Sequence, residues 1–568
     1  MLIVCELDQS LMTHHINKPV SFGIAKIVIQ VLVICSSLGM AFFLTLCHTE
    51  LQRQDYDWDT DHEMYFASRL LSGELIWTKE IHDKLPVVQL VFLIPAYYSS
   101  VSVWVMISIV ISILSLVSFF LTAYSMAAKF YSINNTHTRI VITFIATSYF
   151  AFCLAYLASS FSHIYTFTAA LTMIVLCSRI FAQATLQCSI DLFHKLFLGV
   201  TIICASIVVS FRPYLGPSFL AFELFFPNVK EVNNYDLHRI ESSQYTLVPL
   251  QVKVRYIFVR MQWITCVALT VIFLNFAPYI YLGEYSALLR GIYHNSQQLY
   301  PSTLSQILTK QFQDLHIYSY VPMFNFFLFI IYCPFISIYR HISSPRGIHG
   351  YQRVDKQKFH ILSAVFFAAV SLELMIVSRH YWTEYIQMFT PFACLILFDA
   401  CCLLVQILLS GKFHITLQLK ITTILIVFFG MIVGRDLPVT SLHLHSADLE
   451  QITNLLAERK KLNKSTDFLF ASDMFVHWKL RESRHGFPHA ADLSHLALGW
   501  FDKIDYAENS EFPYSKKQLC DKVSKSGPSV IFTPYYSIIY ECLTDTFPRR
   551  YTLVINDLSM SMFEREDD

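Results

Sequence analysis

The chain has 568 residues, of which 54% are hydrophobic and only 15% charged, and its mean hydropathy is +0.46; this excludes an ordinary soluble protein. The 42 basic and 42 acidic residues balance, so sidedness depends on where Lys and Arg lie. Several uncharged runs exceed the ~20 residues a helix needs to cross a bilayer, and the alternation of an outer-membrane barrel strand is absent.

Length and lack of charge predict about eleven spans, near 25–47, 101–128, 140–159, 164–183, 193–211, 213–226, 258–282, 319–339, 359–378, 386–409 and 419–434. The first is long and is followed by Cys47-His48-Thr49-Glu50, a poor cleavage site, so it reads as a retained helix rather than a signal peptide. No charge occurs from Leu85 to Ala128. That run predicts a short juxtamembrane or re-entrant helix, Pro86–Tyr98, before a full span from about Val101. The 213–226 segment is short and carries Glu223.

With a cytoplasmic N-terminus, eleven spans put the basic loops 228–257 and 340–358 and the turns Lys129–Arg139 and Lys412–Lys420 inside. The same count puts the acidic 48–86 loop, the 283–318 loop and the C-terminal region outside. From Arg435 onward the composition is that of a soluble domain. Ala447–Lys461 predicts an amphipathic helix, and Asp467–Ser472, Ser529–Thr533 and Tyr551–Asn556 predict buried strands. The expected fold is therefore a polytopic α-helical membrane domain over 1–434 and a small extracytoplasmic α/β domain over 435–568.

Most of the fourteen cysteines lie in apolar spans and act there as small apolar residues. Cys520 and Cys542 share the soluble region and are free to pair in an oxidising compartment. In the same region Arg484-His485-Gly486-Phe487-Pro488-His489, with Asp492 and His495, is dense in histidine. Its spacing matches no standard zinc pattern, and a loop packed over the membrane domain is the simpler reading.

The chemistry concentrates in the first outer loop. Asp55, Asp57, Asp59, Asp61 and Glu63 fall at every second position, so an extended segment would put them on one face. One such carboxylate suits a general base toward an acceptor hydroxyl or amine; a cluster also suits a divalent metal, and a solvated acidic loop is the plain alternative. Next, Met64, Ala67, Leu70, Leu71 and Leu75 recur at helical spacing, as in a helix lying on the membrane surface. Gly73 offers its C-cap, and Pro86 suits the start of the following helix. Lys84, at that start, is placed to meet a lipid phosphate.

This arrangement resembles the bacterial members of the GT-C glycosyltransferase superfamily, the protein O-mannosyltransferase-like and lipid A aminoarabinose transferase-like enzymes. Their first outer loop carries an aspartate, then a helix like Ala67-Ser68-Arg69-Leu70-Leu71-Ser72-Gly73, then an acidic or His residue before Lys-Pro-Pro. Asp83-Lys84-Leu85-Pro86 stands where that last motif would stand. The resemblance implies a catalytic role for Asp59, and acceptor or carrier-phosphate binding by Asp83 and Lys84. Two departures occur. Thr60 replaces the acid that often follows the aspartate, which leaves Asp61 as an alternative base, and Leu85-Pro86 replaces the proline pair.

A second cluster, Glu373 with Ser378-Arg379-His380-Tyr381-Trp382, resembles a His/Arg/Tyr-rich segment these enzymes place late in the membrane domain. Arg379, His380 and Tyr381 are candidates for holding the phosphate of a polyprenyl-phosphate sugar. Aromatic and cationic anchoring at the interface is the alternative, and Glu373 within an apolar span needs a partner or a cavity. Arg212-Pro213-Tyr214 is a further candidate, while Asp399 is as well explained by helix packing.

The implied reaction moves a sugar from a polyprenyl-phosphate donor to a lipid, glycan or protein acceptor outside the membrane. It requires no cofactor, and a divalent metal is compatible but not expected. Membrane lipids are expected partners and nucleic acid is not. The competing readings are a transporter or flippase of lipid-linked sugar, against which the sequence lacks repeated halves and paired broken spans, and a non-catalytic glycolipid-binding relative.

Overall fold

The structure is a computed structural model. It describes residues 58–73, 75, 77, 84–98, 100–131, 133–160, 162–185, 191–225, 250–297, 363–372 and 387–410 of the apolar region. Toward the C-terminus it describes 454, 457–462, 468–470, 520, 529–533, 540, 542–546, 550–556 and 561–566. The spans expected at 25–47, 319–339 and 419–434 lie outside the described residues.

The described apolar region is helical throughout. Its helices are α1 (Trp58–Leu71), α2 (Val87–Tyr98), α3 (Val101–Lys129), α4 (Thr136–Ser160), α5 (His163–Thr185), α6 (Asp191–Phe211), α7 (Leu215–Phe225), α8 (Leu250–Leu282) and α9 (Tyr285–Gln297). Two more are α10 (Ser363–Leu372) and α11 (Thr390–Ser410). Four described helices are long and apolar enough to cross a membrane: Val101–Lys129, Thr136–Ala158, His163–Phe181 and Met261–Leu282.

The uncharged run from Leu85 to Ala128 divides as its length requires, into short α2 and full-length α3. One face of α3 buries Trp104, Ser108, Ser112, Ser115, Phe119 and Ala123, and the other exposes Met106, Val110, Ile113, Val117 and Leu121. Apolar side chains exposed at this spacing suit contact with lipid tails. The serines on the inner face are small enough for a neighbouring helix to come close; Ser112 and Ser115 return their hydroxyls to their own backbone, to Ser108 O at 2.8 Å and Ser112 O at 2.7 Å, and Ser108 donates to His163 O of α5 at 3.4 Å. In α5, Thr168 and Thr172 do the same, at 2.8 Å each.

Short turns make α3, α4 and α5 antiparallel neighbours. Phe92 of α2, Trp104 of α3, Phe167 of α5 and Phe211 of α6 stack into one aromatic cluster with centroid separations of 4.1–6.4 Å. It lies beneath the end of the bundle that carries α1 and α2. In the turn after α3, the Tyr131 hydroxyl donates to the buried Asp399 carboxylate, which fits helix packing, one of the two readings the sequence left open for Asp399. Arg179 of α5 grips Glu223 of α7 through two nitrogens, Nη2 to Oε2 at 2.9 Å, and its guanidinium carbon stands 4.7 Å from the Trp263 ring centroid of α8. Glu223 within a short apolar helix is thereby neutralised by a partner.

The C-terminal described residues include β1 (Phe468–Phe470), β2 (Val530–Thr533), β3 (Tyr551–Asn556) and β4 (Ser561–Arg565) in the order β1-β2-β4-β3. The β1–β2 pair is parallel, with Leu469 opposite Ile531. β4 runs antiparallel to both β2 and β3, with Phe563 opposite Ile531 and Leu553, and a bulge lies between Leu553 and Ile555. The three strands expected from sequence are present, but β3 is not buried as expected: Thr552, Leu553 and Val554 are exposed, because it lies at the edge of the sheet; β4 is an addition. Residues 457–461 are helical within the helix expected at 447–461, and Arg459 is paired there with Glu564 of β4. Cys520 and Cys542 form a disulfide.

Candidate functional site

α1 begins at Trp58, so the helix expected from Glu63 starts earlier and takes in Asp59 and Asp61, which therefore do not share the single face an extended segment would give them. The reason is the 3.6-residue period of Thr60, Glu63, Met64 and Ala67, which together form a buried face. On this helix Asp59 comes one turn before Glu63, whereas Asp61 is rotated roughly 160° away from it. The helix ends as the sequence predicts: Gly73 adopts φ 83°, and its amide reaches Leu70 O at 3.0 Å. Of the apolar stripe, Met64 and Ala67 are buried, Leu70 and Leu75 half-buried, and Leu71 exposed.

Lys84, expected to be a phosphate ligand, is buried at the start of α2 with its Nζ 2.8 Å from Glu63 Oε1. Gln89, one turn along α2, donates from Nε2 to the other Glu63 oxygen at 2.7 Å. A wholly buried carboxylate is costly unless charge and hydrogen bonds compensate it. Here a cation and an amide do so, and they lock α1 onto α2. Glu63 belonged to the acidic run, but sequence alone did not distinguish it from its neighbours. Gln89 carried no signal beyond being a polar residue in an apolar stretch.

Pro86 supplies the first turn of α2 without an amide of its own. The next amide, Val87 N–H, donates to Asn275 Oδ1 of α8 at 2.8 Å. The Asn275 amide group donates to Ser210 Oγ of α6 at 3.0 Å and to Val271 O at 2.8 Å. Ser210 in turn donates to Ser206 O at 2.8 Å. Two residues past Ser210 comes Arg212. The helix stops there because a residue before proline disfavours helical geometry. The Arg212 guanidinium is buried, with its carbon 4.6 Å from the Tyr165 ring centroid at the start of α5.

The loop between α1 and α2 is anchored by Trp77, whose indole centroid lies 5.6 Å from that of Tyr279, one turn beyond Asn275 on α8. The α1–α2 layer, the ends of α5 and α6 and the last turns of α8 thus meet at one end of the bundle. Lys84, Glu63 and Arg212 are brought to this end. Asp59 and Asp61 are placed on α1 through their backbone alone. Asp83, Glu373, Arg379, His380 and Tyr381, and the histidine-dense segment 484–495, lie outside the described residues.

This arrangement of short surface helices on an apolar bundle matches the crystal structure of ArnT from Cupriavidus metallidurans in the apo state. The TM-score is 0.54 at 10% sequence identity, over 93% of this chain and 97% of that one. The chain shares the fold of this ArnT. A second structure of the same ArnT, bound to undecaprenyl phosphate, aligns over the same shares of both chains at a TM-score of 0.49 and 11% identity. No family model and no curated protein matches the sequence. The likeness spans nearly the whole chain, well beyond the thirty or so residues of the first-loop motif.

Chemically, the site offers a buried cation at a helix start, a second buried cation on an aromatic face, and a helix rich in carboxylates beside them. Cations in a low-dielectric setting suit a phosphate that must be held and stabilised as it leaves.

Proposed function

We propose that the protein is an integral membrane glycosyltransferase. It transfers a sugar from a polyprenyl-phosphate donor to a lipid, glycan or protein acceptor on the outer side of the membrane. The observation that carries this reading is Lys84, buried and held by Glu63 at the start of α2, in a chain that shares the fold of ArnT. That ArnT has been crystallised with undecaprenyl phosphate.

In this mechanism Lys84 and Arg212 bind the carrier phosphate, and Asp83, Glu373, Arg379, His380 and Tyr381 are the further candidates for donor-phosphate or acceptor binding. Asp59 acts as the base. It precedes Glu63 by one helical turn, on the side of α1 that turns toward α2, whereas Asp61 occupies the other side. The base removes the acceptor proton as the acceptor oxygen or nitrogen attacks the anomeric carbon. The bond to the phosphate oxygen breaks, and the phosphate leaves with its electron pair to the cations. Attack opposite the phosphate inverts the anomeric centre, and the scheme requires no metal.

We place the protein in the bacterial inner membrane with eleven spans, a cytoplasmic N-terminus and residues 435–568 in the periplasm. The Cys520–Cys542 disulfide supports this sidedness, because such bonds persist in oxidising compartments. The test is sugar transfer by purified protein in nanodiscs, with a panel of polyprenyl-phosphate sugars and membrane-extract acceptors. Wild type should transfer, Asp59→Asn should lose at least about a hundredfold in kcat, and Asp61→Asn should retain activity. Loss confined to Asp61→Asn would reassign the base. Absence of transfer alongside movement of lipid-linked sugar across liposomes would replace the enzyme with a flippase.

A further inference from the structure

Asn275 is buried on α8, distant in sequence from the first-loop motif, and every polar atom of its side chain is engaged. Its carbonyl oxygen takes the Val87 amide, three residues after Lys84. Its amide group holds Ser210, two residues before Arg212. The separations along the chain are 188 residues to Val87 and 65 to Ser210. One side chain therefore joins the helix start that carries one buried cation to the helix end that carries the other.

The Val87 contact is specific in kind. A helix start has amides with no partner inside the helix. In α2, Pro86 has none to satisfy, while the Val88 and Gln89 amides turn back to Leu85 O and Pro86 O at 3.0 and 3.2 Å. Val87 is served from outside, by α8. On its other edge α2 is fixed by Gln89 to Glu63, and its face is packed through Phe92 against Phe211, the residue before Arg212. Asn275 supplies the polar half of the α2–α6 junction, and the aromatic cluster supplies the apolar half.

We propose that Asn275 is a positioning residue that sets the spacing between Lys84 and Arg212, so that both reach the same carrier phosphate. This role rests on the proposed function, since it needs those two cations to share a ligand. Asn275 does not touch the phosphate. Without its bridge the start of α2 shifts relative to the end of α6, and two cations that matched one anion no longer do. Displacements of about 1 Å in such supports are enough to cost one to two orders of magnitude.

The experiment measures binding of undecaprenyl phosphate to the full chain in nanodiscs, with hydrogen exchange read over residues 84–89. Asn275→Leu should weaken binding about tenfold or more and speed exchange in that segment. Asn275→Asp, which keeps the acceptor for Val87 but replaces the nitrogen that donates to Val271 O and Ser210 Oγ, should protect residues 84–89 from exchange better than Asn275→Leu does. Lys84→Ala should weaken binding, and Lys84→Ala with Asn275→Leu should bind no more weakly than Lys84→Ala alone, because a positioning effect vanishes once the positioned group is gone. Losses that multiply in the double variant would show a general structural role and overturn the proposal. Wild-type binding by Asn275→Leu, with binding lost in Lys84→Ala, would overturn it while leaving the proposed function standing. No binding by wild type, or full binding by Lys84→Ala, would overturn both. Where Asn275→Leu does not fold, Asn275→Ser is read the same way, and unchanged exchange at 84–89 with unchanged affinity overturns the bridge.

Discussion

Gly291 of α9 lies flat against the indole of Trp77, so close that a β-carbon on Gly291 would stand 2.0 Å from Trp77 Cδ2 and 2.3 Å from Cε3. The ring that a methyl group would meet is itself packed against Tyr279, at 5.6 Å between centroids. Gly291→Ala should therefore destabilise the protein by roughly 1–3 kcal/mol, the usual cost of overpacking. Thermal unfolding in detergent reads this directly. In a Trp77→Ala background the same change should cost little, and equal costs in both backgrounds would show that the ring is not what excludes the methyl group.

Arg179 and Glu223 form a two-point ion pair between α5 and α7 in the apolar bundle, and the Arg179 guanidinium also faces Trp263. Removing one partner strands the other charge among apolar side chains. Glu223→Gln or Arg179→Met alone should lower stability by about 3–5 kcal/mol. The double variant Arg179→Met with Glu223→Gln should recover a large part of that loss, because neither charge remains. A double variant as unstable as the sum of the singles would mean the pair is not coupled. α7 begins directly after Arg212-Pro213-Tyr214, so the single variants should also weaken polyprenyl-phosphate binding more than the double does.

What the sequence made legible divides along physical lines. Local patterns were readable: the split of residues 85–128 into α2 and α3, the Gly73 cap, and strands β1 to β3 from their apolar β-branched or aromatic runs. β4 was not readable, because Ser561-Met562-Phe563-Glu564-Arg565 has only two apolar residues and ends in charge. The alternation of Asp55 through Glu63 suggested extended chain, but the buried face from Thr60 to Ala67 has helical period and prevails. Of the candidate site, the place of Lys84 at the start of α2 and the helix running from Glu63 to the Gly73 cap were readable, whereas the burial of Lys84 on Glu63 was not. Asn275 and the Arg179–Glu223 pair were not, because each gains its meaning from partners dozens to hundreds of residues away, and one sequence carries no record of that proximity.

The Cys520–Cys542 bond closes a 22-residue separation and should stabilise the folded C-terminal sheet by about 3 kcal/mol. It also reports sidedness. In intact cells, a membrane-impermeant maleimide should label neither cysteine before reduction and both after treatment with a phosphine reductant. Limited proteolysis of the Cys520→Ser, Cys542→Ser double variant should cut residues 520–566 faster than in wild type. Labelling that appears only after cell lysis would place this region inside and reverse the proposed orientation.

Glu63 has two jobs that substitution separates. It is a buried acceptor for Gln89, and it is the counter-charge that holds the Lys84 ammonium in place. Glu63→Gln keeps an acceptor oxygen and the side-chain volume but removes the charge, whereas Glu63→Ala removes everything. Both should lower stability, with Glu63→Ala the worse by about 1–3 kcal/mol because Gln89 and Lys84 both lose a partner. Their effects on donor binding should differ in sign. With the competing carboxylate gone, Lys84 in Glu63→Gln is drawn entirely to the carrier phosphate, so affinity for undecaprenyl phosphate should hold or rise, provided α1 stays docked. In Glu63→Ala the loosened α1–α2 contact should lower it. Affinity falling equally in both variants would mean that the carboxylate charge itself is needed to orient Lys84 toward the phosphate.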